Sequence, residues 1–254
     1  MNKPFVLFGT GNVYLDILAP GGAATGLALK GNCTKLSNKA EQEIITEEGT
    51  CQDNFGQILG SVAIPKAPEG EAEFNQFDMD LFSMIFLGSS SLMTQAQGSV
   101  ADPGQDVTTI ADRMVELGKY KIKDVVAKDA TGVTTYAEGT DYLINSRAGG
   151  FTALSSGSIP AGGKIKLAYS WPAIEGTTIS GMTKADVLAK ILWEGTNRSD
   201  GREFVFKAHQ ARFASSTEFN LQAAGEKKFV RASFKVTYET PPGMNSPFEL
   251  TWLS

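Results

Sequence analysis

Cysteine and histidine are scarce in this sequence, whose 254 residues include two cysteines and one histidine. Cys33 and Cys51 have no CxxC spacing and no nearby histidine, so the sequence predicts neither a disulfide framework nor a zinc site. His209 has no serine or cysteine nucleophile motif beside it, and the chain contains no GxSxG, HExxH or P-loop pattern. Hydrolytic triads and histidine-based metal sites need an imidazole beside a partner, so both are excluded.

Calcium loops are also missing. Neither Asp53-Asn54 nor the segment 102–106 has the alternating ligands and closing glutamate of an EF-hand. We therefore expect no catalytic residue, no cofactor and no metal in this protein.

Basic residues and long apolar runs are lacking as well. The formal net charge is −5, and no basic stripe with interleaved aromatic residues is present, which disfavours tight nucleic-acid binding. No apolar run reaches the length of a membrane-spanning helix. The run Phe5–Phe8 is too short for a signal-peptide core, and Gly9 breaks it at once. We expect a soluble protein, made in a cytoplasm, that does not bind membranes.

Short apolar segments separated by glycine-rich turns are what the sequence does contain, most clearly over residues 120–171. The last segment alternates with a period of two, which predicts a strand with one buried face. That face carries Ile165, Leu167, Tyr169 and Trp171. A second alternating run, residues 230–238, predicts another half-buried strand. The pattern indicates a mainly β protein, an antiparallel β-sandwich or partial barrel with one or two short helices.

The N-terminal third predicts further strands and turns. Gly9-Thr10-Gly11 is interpreted as a hairpin turn between strands Phe5–Phe8 and Val13–Leu18, because no third glycine and no βαβ unit follow it. One extended strand is predicted over Thr34–Glu48, and a turn then leads into a strand at Gln57–Pro65. We expect a single β domain over residues 1–254 with a long hairpin or loop arm around residues 20–56.

One segment, Asp78–Gly88, has the pattern of a helix. Asp78 or Asp80 can accept bonds from free amides at its start, and Gly88 suits its C-terminal cap. Its side chains leave almost no polar side, and a short helix on a β domain cannot bury all of them alone. We therefore expect a subunit interface at Leu81, Phe82, Ile85 and Phe86. A buried core helix or an apolar strand is the alternative.

A second helical pattern covers residues 183–194. Thr183 and Asp186 imitate a capping box, and Val187 and Ile191 have helical spacing. The sequence predicts a helix at least as far as Lys190, with a strand as the alternative.

Several motifs in these segments carry a resemblance. They are Gly139-Thr140-Asp141-Tyr142, the corner Ile159-Pro160-Ala161-Gly162, the strand end Tyr169-Ser170-Trp171, and Trp193-Glu194-Gly195-Thr196-Asn197. Together they resemble the tail tube (major tail) proteins of long-tailed bacteriophages. The resemblance implies a virion structural protein, made in a bacterial host, whose homo-hexameric rings stack into a tube for DNA ejection. It also implies tail terminator, tape measure and baseplate proteins as partners, with DNA passing through non-specifically.

The resemblance suggests a role for three acidic residues. Glu41, Glu43 and Glu47 share one face of the predicted strand. They either protect an edge strand from aggregation or line the bore of the tube, where acidic walls would not retain DNA.

Two other functions remain open from the sequence. One is a carbohydrate-binding or adhesin-like β-sandwich of a phage fibre or baseplate. The other is an enzyme with a histidine-free pair of carboxylates.

Overall fold

The protein is mainly β, with antiparallel sheets and one short helix in the part of the chain that the structure describes. The structure is a computed structural model and describes residues 6–19, 21–216, 218–222 and 229–253. Where the sequence predicts one domain over residues 1–254, the chain forms two compact units. The first unit contains Met1–Ser90 and Ile179–Ser254, and the second contains Ser91–Thr178.

The first unit contains most of the strands. They are β1 (Gly9–Ile17), β2 (Ala28–Leu29), β3 (Cys33–Leu36), β4 (Gln42–Glu48), β5 (Ile58–Pro65), β6 (Glu69–Phe74), β15 (Val187–Asn197), β16 (Glu203–Ser215), β17 (Ala232–Glu239) and β18 (Phe248–Leu253). Helix α1 spans Met79–Ile85. Eight of the strands form one sheet in the order β2-β1-β15-β16-β17-β6-β3, and β18 pairs with the first half of β16.

Alternating side chains of the large sheet build the core of the first unit. On β17, Ala232, Phe234, Val236 and Tyr238 are buried and the residues between them are not, which confirms the predicted half-buried strand. Together with Val13, Leu15 and Ile191, these residues form one apolar cluster that also includes side chains of α1. Helix α1 thus packs against the apolar face of the sheet, while charged residues such as Lys190 and Lys207 are exposed on the other face.

Helix α1 begins as the sequence predicts. The Asp78 carboxylate accepts a hydrogen bond from the Leu81 amide at 2.8 Å, which satisfies one free donor of the first turn. The predicted C-terminal cap at Gly88 is wrong, because Phe86 is the C-cap and the left-handed residue after it is Leu87, with φ 47°. Gly88 instead donates its amide to the Ser83 carbonyl, and a Cβ there would lie 2.6 Å from the Ser180 carbonyl oxygen.

The predicted turn at Gly9-Thr10-Gly11 is wrong, because all three residues belong to the continuous strand β1. Residues 6–8 form no strand, and Phe5 lies outside the described residues. Close approach explains the glycine at position 11. It lies opposite Gly195 of β15, where a Cβ would be 2.0 Å from the Glu194 carbonyl oxygen.

The helix predicted over residues 183–194 is also wrong, because Val187–Asn197 forms strand β15. Val187, Ala189 and Ile191 are buried with a period of two, although Val187 and Ile191 also fit helical spacing. The Thr183 hydroxyl donates to the Ser180 carbonyl and caps no helix. Pairing on both edges, with β1 and β16, outweighs the local pattern.

The single strand predicted over Thr34–Glu48 is two strands, β3 and β4. The break lies near Ser37, whose amide donates to the Glu71 carbonyl. Because β3 pairs with β6 while β4 pairs only with β5, the two strands belong to different sheets. The predicted arm is therefore shifted and consists of β4 and β5.

The second unit contains two three-stranded sheets, β10-β13-β8 and β11-β12-β9. Their strands are β8 (Gly98–Thr108), β9 (Met114–Glu116), β10 (Lys123–Asp129), β11 (Tyr142–Asn145), β12 (Gly150–Ala153) and β13 (Lys164–Trp171). Two further strands, β7 (Ser89–Gln95) and β14 (Ile174–Ser180), pair with each other.

Side chains from both three-stranded sheets form one core. Ile165, Leu167 and Tyr169 are buried, and Trp171 is partly buried, as predicted for β13. They pack with Tyr142 and Phe151.

Candidate assembly surface

The β4–β5 hairpin (the arm) has no cover within its own chain. Its two strands pair with each other and with no other described strand, and every residue of both is exposed. Many of the exposed side chains are apolar: Ile44, Ile45, Phe55, Ile58, Leu59, Val62 and Ile64 are between 46% and 80% exposed. A single hairpin is marginally stable in water, and clustered exposed apolar side chains mark interaction sites.

The two faces of the arm differ in charge. One face carries Glu43, Ile45 and Glu47, with Val62 opposite Ile45. The other carries Ile44 opposite Ala63 and Thr46 opposite Ser61, without a charge in these pairs. Glu48 ends this second face at the tip, so the arm can contact a partner through a mostly uncharged face while Glu43 and Glu47 remain solvated.

Glu41, Glu43 and Glu47 all lie on the arm or at its base. Glu41 precedes β4 and pairs with Lys39, and the hydrogen bond from that ammonium lowers the pKa of Glu41. Glu43 lies 3.3 Å from the Lys66 ammonium, and Glu47 has no ion pair within the described residues. Two of the three carboxylates are thus paired with lysines at the base. Their placement in a bore stays a prediction.

The four helix residues predicted at an interface divide into two pairs. Leu81 and Ile85 are buried in the core of their own unit, which leaves them little surface for another subunit. Phe82 and Phe86 are partly buried and pack against Phe219, with ring centroids 5.7 and 6.0 Å away. The interface prediction therefore depends on Phe82 and Phe86 alone.

A cleft of about 680 Å³, which we call the lysine cleft, lies beside β1, β15 and β16. Its lining includes the cations Lys190 and Lys207, with His209 at the wall. Neither lysine makes an ion pair with another described residue. Exposed apolar side chains complete the lining, among them Leu27 and Met244, which are 50% and 49% exposed.

Asp16 is the acidic residue in the lining of the lysine cleft, and its own chain satisfies it. The Oδ1 atom accepts hydrogen bonds from the amides of Thr25 and Gly26 and from the Thr25 hydroxyl at 2.8–3.0 Å. Burial raises the pKa of Asp16, but these hydrogen bonds and the charge of Lys190 together lower it by more than burial raises it. The net shift of the Asp16 pKa is therefore downward. The carboxylate thus stays ionised, and its Oδ1 atom accepts three hydrogen bonds from its own chain.

His209 brings an unsatisfied group to the same place. Its Nε2 atom is buried without a hydrogen-bond partner among the described residues, 3.6 Å from a Glu249 carboxylate oxygen. Glu249 also lies opposite Lys207 across the β16–β18 pair, beyond ion-pair distance.

A second cleft, of about 820 Å³, lies between β1 and β3 in the same unit. Its floor is aromatic, with Trp193, Phe204, Phe206 and Tyr238. Three of these rings are at most 9% exposed, and burial raises the pKa of Tyr238 to about 12. Little aromatic surface is therefore left for a ligand to stack on.

The described residues contain no group of three or more His, Cys, Asp or Glu that could hold a metal ion. They also contain no helix with the length and apolar character to cross a membrane.

Sequence reasoning missed Lys190, Lys207 and the apolar residues of β5. The β5 residues had a signal, since Ile58, Leu59, Val62 and Ile64 place apolar side chains on both faces of a strand. The lysine cleft had none, because strands β1, β15 and β16 are brought together only by folding.

A comparison with curated proteins found no match. A scan against family models matched residues 6–239 to one family, described as "Protein of unknown function UCP028589". Because the match covers most of the chain, the protein belongs to the family UCP028589.

Proposed function

We propose that this chain is a virion structural protein whose copies assemble into rings that stack into a tail tube, a conduit for DNA ejection. The observation that carries the proposal is the uncovered arm. Each apolar side chain removed from water is worth about 1.5–3 kcal/mol when fully buried, so association would stabilise the hairpin substantially. A second copy of the same chain is a partner present wherever the protein is made.

Open sheet edges support self-assembly as well. The large sheet ends at β2 and β3, and the arm has no strand partner on either outer edge within the described residues. Unpaired edges invite pairing with another chain, and closure of a sheet across subunits removes them. The proposed tube uses this principle, with six copies in a ring and the inner strands joined into one barrel.

We also propose a fold type that goes beyond the mainly β class. We assign the first unit to the antiparallel sandwich or partial-barrel type of the phage tail tube proteins that the sequence resembles. Support comes from an antiparallel sheet with a helix packed against its apolar face. Tail terminator, tape measure and baseplate proteins are the further partners of this proposal, and the virion tail is the location.

The conduit part of the proposal depends on charge. A basic wall would bind DNA by releasing condensed counterions, whereas an acidic wall repels it weakly within a Debye length of about 10 Å. We propose that Glu41, Glu43 and Glu47 face the bore. Changing all three to lysine should leave tubes intact but make them bind DNA in a salt-sensitive way. A tube structure with these side chains on the outer surface would refute the placement.

Negative-stain microscopy of the purified protein, with light scattering after size exclusion, tests the assembly itself. Rings or stacked tubes are the expected result. A protein that stays monomeric at high concentration and over a range of salt would contradict the proposal.

A carbohydrate-binding module is the second candidate, and one aromatic row favours it. The rings of Trp193, Phe204 and Trp252 follow one another with centroids 4.5 and 4.9 Å apart, and Trp252 is 41% exposed. Because Phe204 is only 3% exposed, Trp252 is the main ring of this row on which a sugar could stack. Titration with soluble glycans, monitored by tryptophan fluorescence, tests it, and Trp252→Ala should abolish any response.

A further inference from the structure

The tip of the arm and the lysine cleft complement each other. The tip, residues 48–57, contains Glu48, Asp53 and the 80% exposed ring of Phe55, and no basic residue. The cleft offers Lys190 and Lys207, neither in an ion pair with a described residue, against the single carboxylate of Asp16, so the cleft remains net basic. An acidic and apolar tip therefore matches a basic and apolar cleft.

Neither feature is fully partnered by the described residues of its own chain. The arm meets no other described strand, and of the two cleft lysines only Lys190 has an acidic neighbour among the residues that line the cleft, Asp16. β4 has seven residues, so the tip extends about 23 Å beyond the base of the arm. That reach is long enough to cross to a neighbouring molecule.

We propose that the arm tip of one copy docks into the lysine cleft of a second copy. This inference rests on the proposed function, since it specifies the contact through which copies associate. Phe55 lies against Leu27 and Met244, and the carboxylates of Glu48 and Asp53 face Lys190 and Lys207.

Such a contact is heterologous, because each copy gives an arm and receives one through a different surface. Repeated from copy to copy, such contacts build closed rings or open filaments, whereas a reciprocal exchange of arms between two copies would give a two-fold dimer. The face of β4 and β5 that carries Ile44 and Thr46 extends the buried area next to the tip, while Glu43 and Glu47 point to the other side.

Charge reversal tests the pairing. Glu48→Lys with Asp53→Lys should lower the assembled fraction at least tenfold at low salt, and Lys190→Glu with Lys207→Glu should do the same. All four changes in one chain should restore assembly. Because Lys190 lies beside Asp16, Lys207→Glu alone serves as a milder variant. Lys123→Glu with Lys164→Glu, in the second unit, is the control for net charge and should assemble normally.

Disulfide trapping tests the location. Cys51 lies exposed in the tip, so it can react with a cysteine introduced at the cleft. In a Cys33→Ser background, Met244→Cys should give disulfide-linked oligomers on mild oxidation. Two controls should give none: Asn38→Cys, at the aromatic cleft, and Met244→Cys with Cys51→Ser.

The outcomes separate this inference from the proposed function. Rings or tubes that form without a disulfide between Cys51 and the cysteine introduced by Met244→Cys, or that link through position 38, overturn the docking site and leave the tube proposal standing. Linked oligomers that never form rings or tubes support the docking site and refute the tube. A protein that neither assembles nor cross-links at any concentration overturns both.

Discussion

Lys30 offers the sharpest test of how the first unit is stabilised. Its ammonium donates to the carboxylates of Asp78 and Asp80, at 2.8 and 2.6 Å, where helix α1 begins. The Lys30 side chain is only 1% exposed, whereas the two aspartate side chains are 42% and 54% exposed. The cost in folding free energy should therefore depend on which partner is removed, the lysine or the two carboxylates.

Removing the lysine should cost little. In Lys30→Met the apolar stem is kept, and the half-exposed carboxylates of Asp78 and Asp80 are hydrated again and still favour the helix N-terminus. We expect the free energy of unfolding to fall by about 1–2 kcal/mol.

Removing the carboxylates should cost more. Asp78→Ser keeps a hydroxyl cap on the helix, and Asp80→Asn keeps the shape, but together they leave a buried ammonium without a counter-charge. Breaking a buried pair in this way costs about 3–5 kcal/mol. Adding Lys30→Met to these two changes should recover about 2 kcal/mol or more, because the unpaired charge is gone.

Urea unfolding at pH 7, followed by circular dichroism and tryptophan fluorescence, measures the three variants. Burial alone lowers the pKa of Lys30, but the hydrogen bonds to Asp78 and Asp80 outweigh it and raise the pKa above the ordinary 10.5. The raised pKa means that the stabilisation is complete below pH 10.5 and is lost only as pH rises through the folded-state value. If Lys30→Met costs as much as removing both carboxylates, the argument from unequal exposure is wrong.

Three further changes test other parts of the molecule. Gly11→Val should destabilise by about 3 kcal/mol in urea titrations because of the close approach of β15, whereas Gly60→Val on the open arm, where an added Cβ meets nothing within 4 Å, should be nearly neutral. Asp141→Asn should lower the melting temperature at pH 7, because hydrogen bonds from the Ala137 and Ser158 amides depress the pKa of Asp141. The difference in melting temperature from wild type should shrink as the pH falls below 3.8 and through the depressed pKa of the folded state. Phe86→Asp should prevent assembly in light scattering while a less stable, folded monomer persists, and tubes of normal appearance would argue against an interface there.

Strong local patterns could be read from the sequence alone. On β13 and β17 the apolar residues alternate along the whole strand, so a strand is the conformation that buries them all. The Asp78 cap also acts locally, since its carboxylate bonds an amide three residues further along. The arm could be predicted only in part: its turn and its acidic residues could be predicted from the sequence, but the absence of covering residues could not.

Tertiary structure decided the rest. Residues 187–194 fit a helix and a strand equally well in local terms, and only β1 and β16 on either side select the strand. The same pairing turns Gly9-Thr10-Gly11 from an apparent turn into strand, because Gly11 and Gly195 let two backbones approach. The lysine cleft is likewise non-local, since Leu27, Lys190, Lys207 and Met244 come from four separate parts of the chain. The spacing of residues along a sequence indicates which face of one helix or strand a side chain occupies. Which other strands pack against that face depends on the free energy of the whole folded sheet.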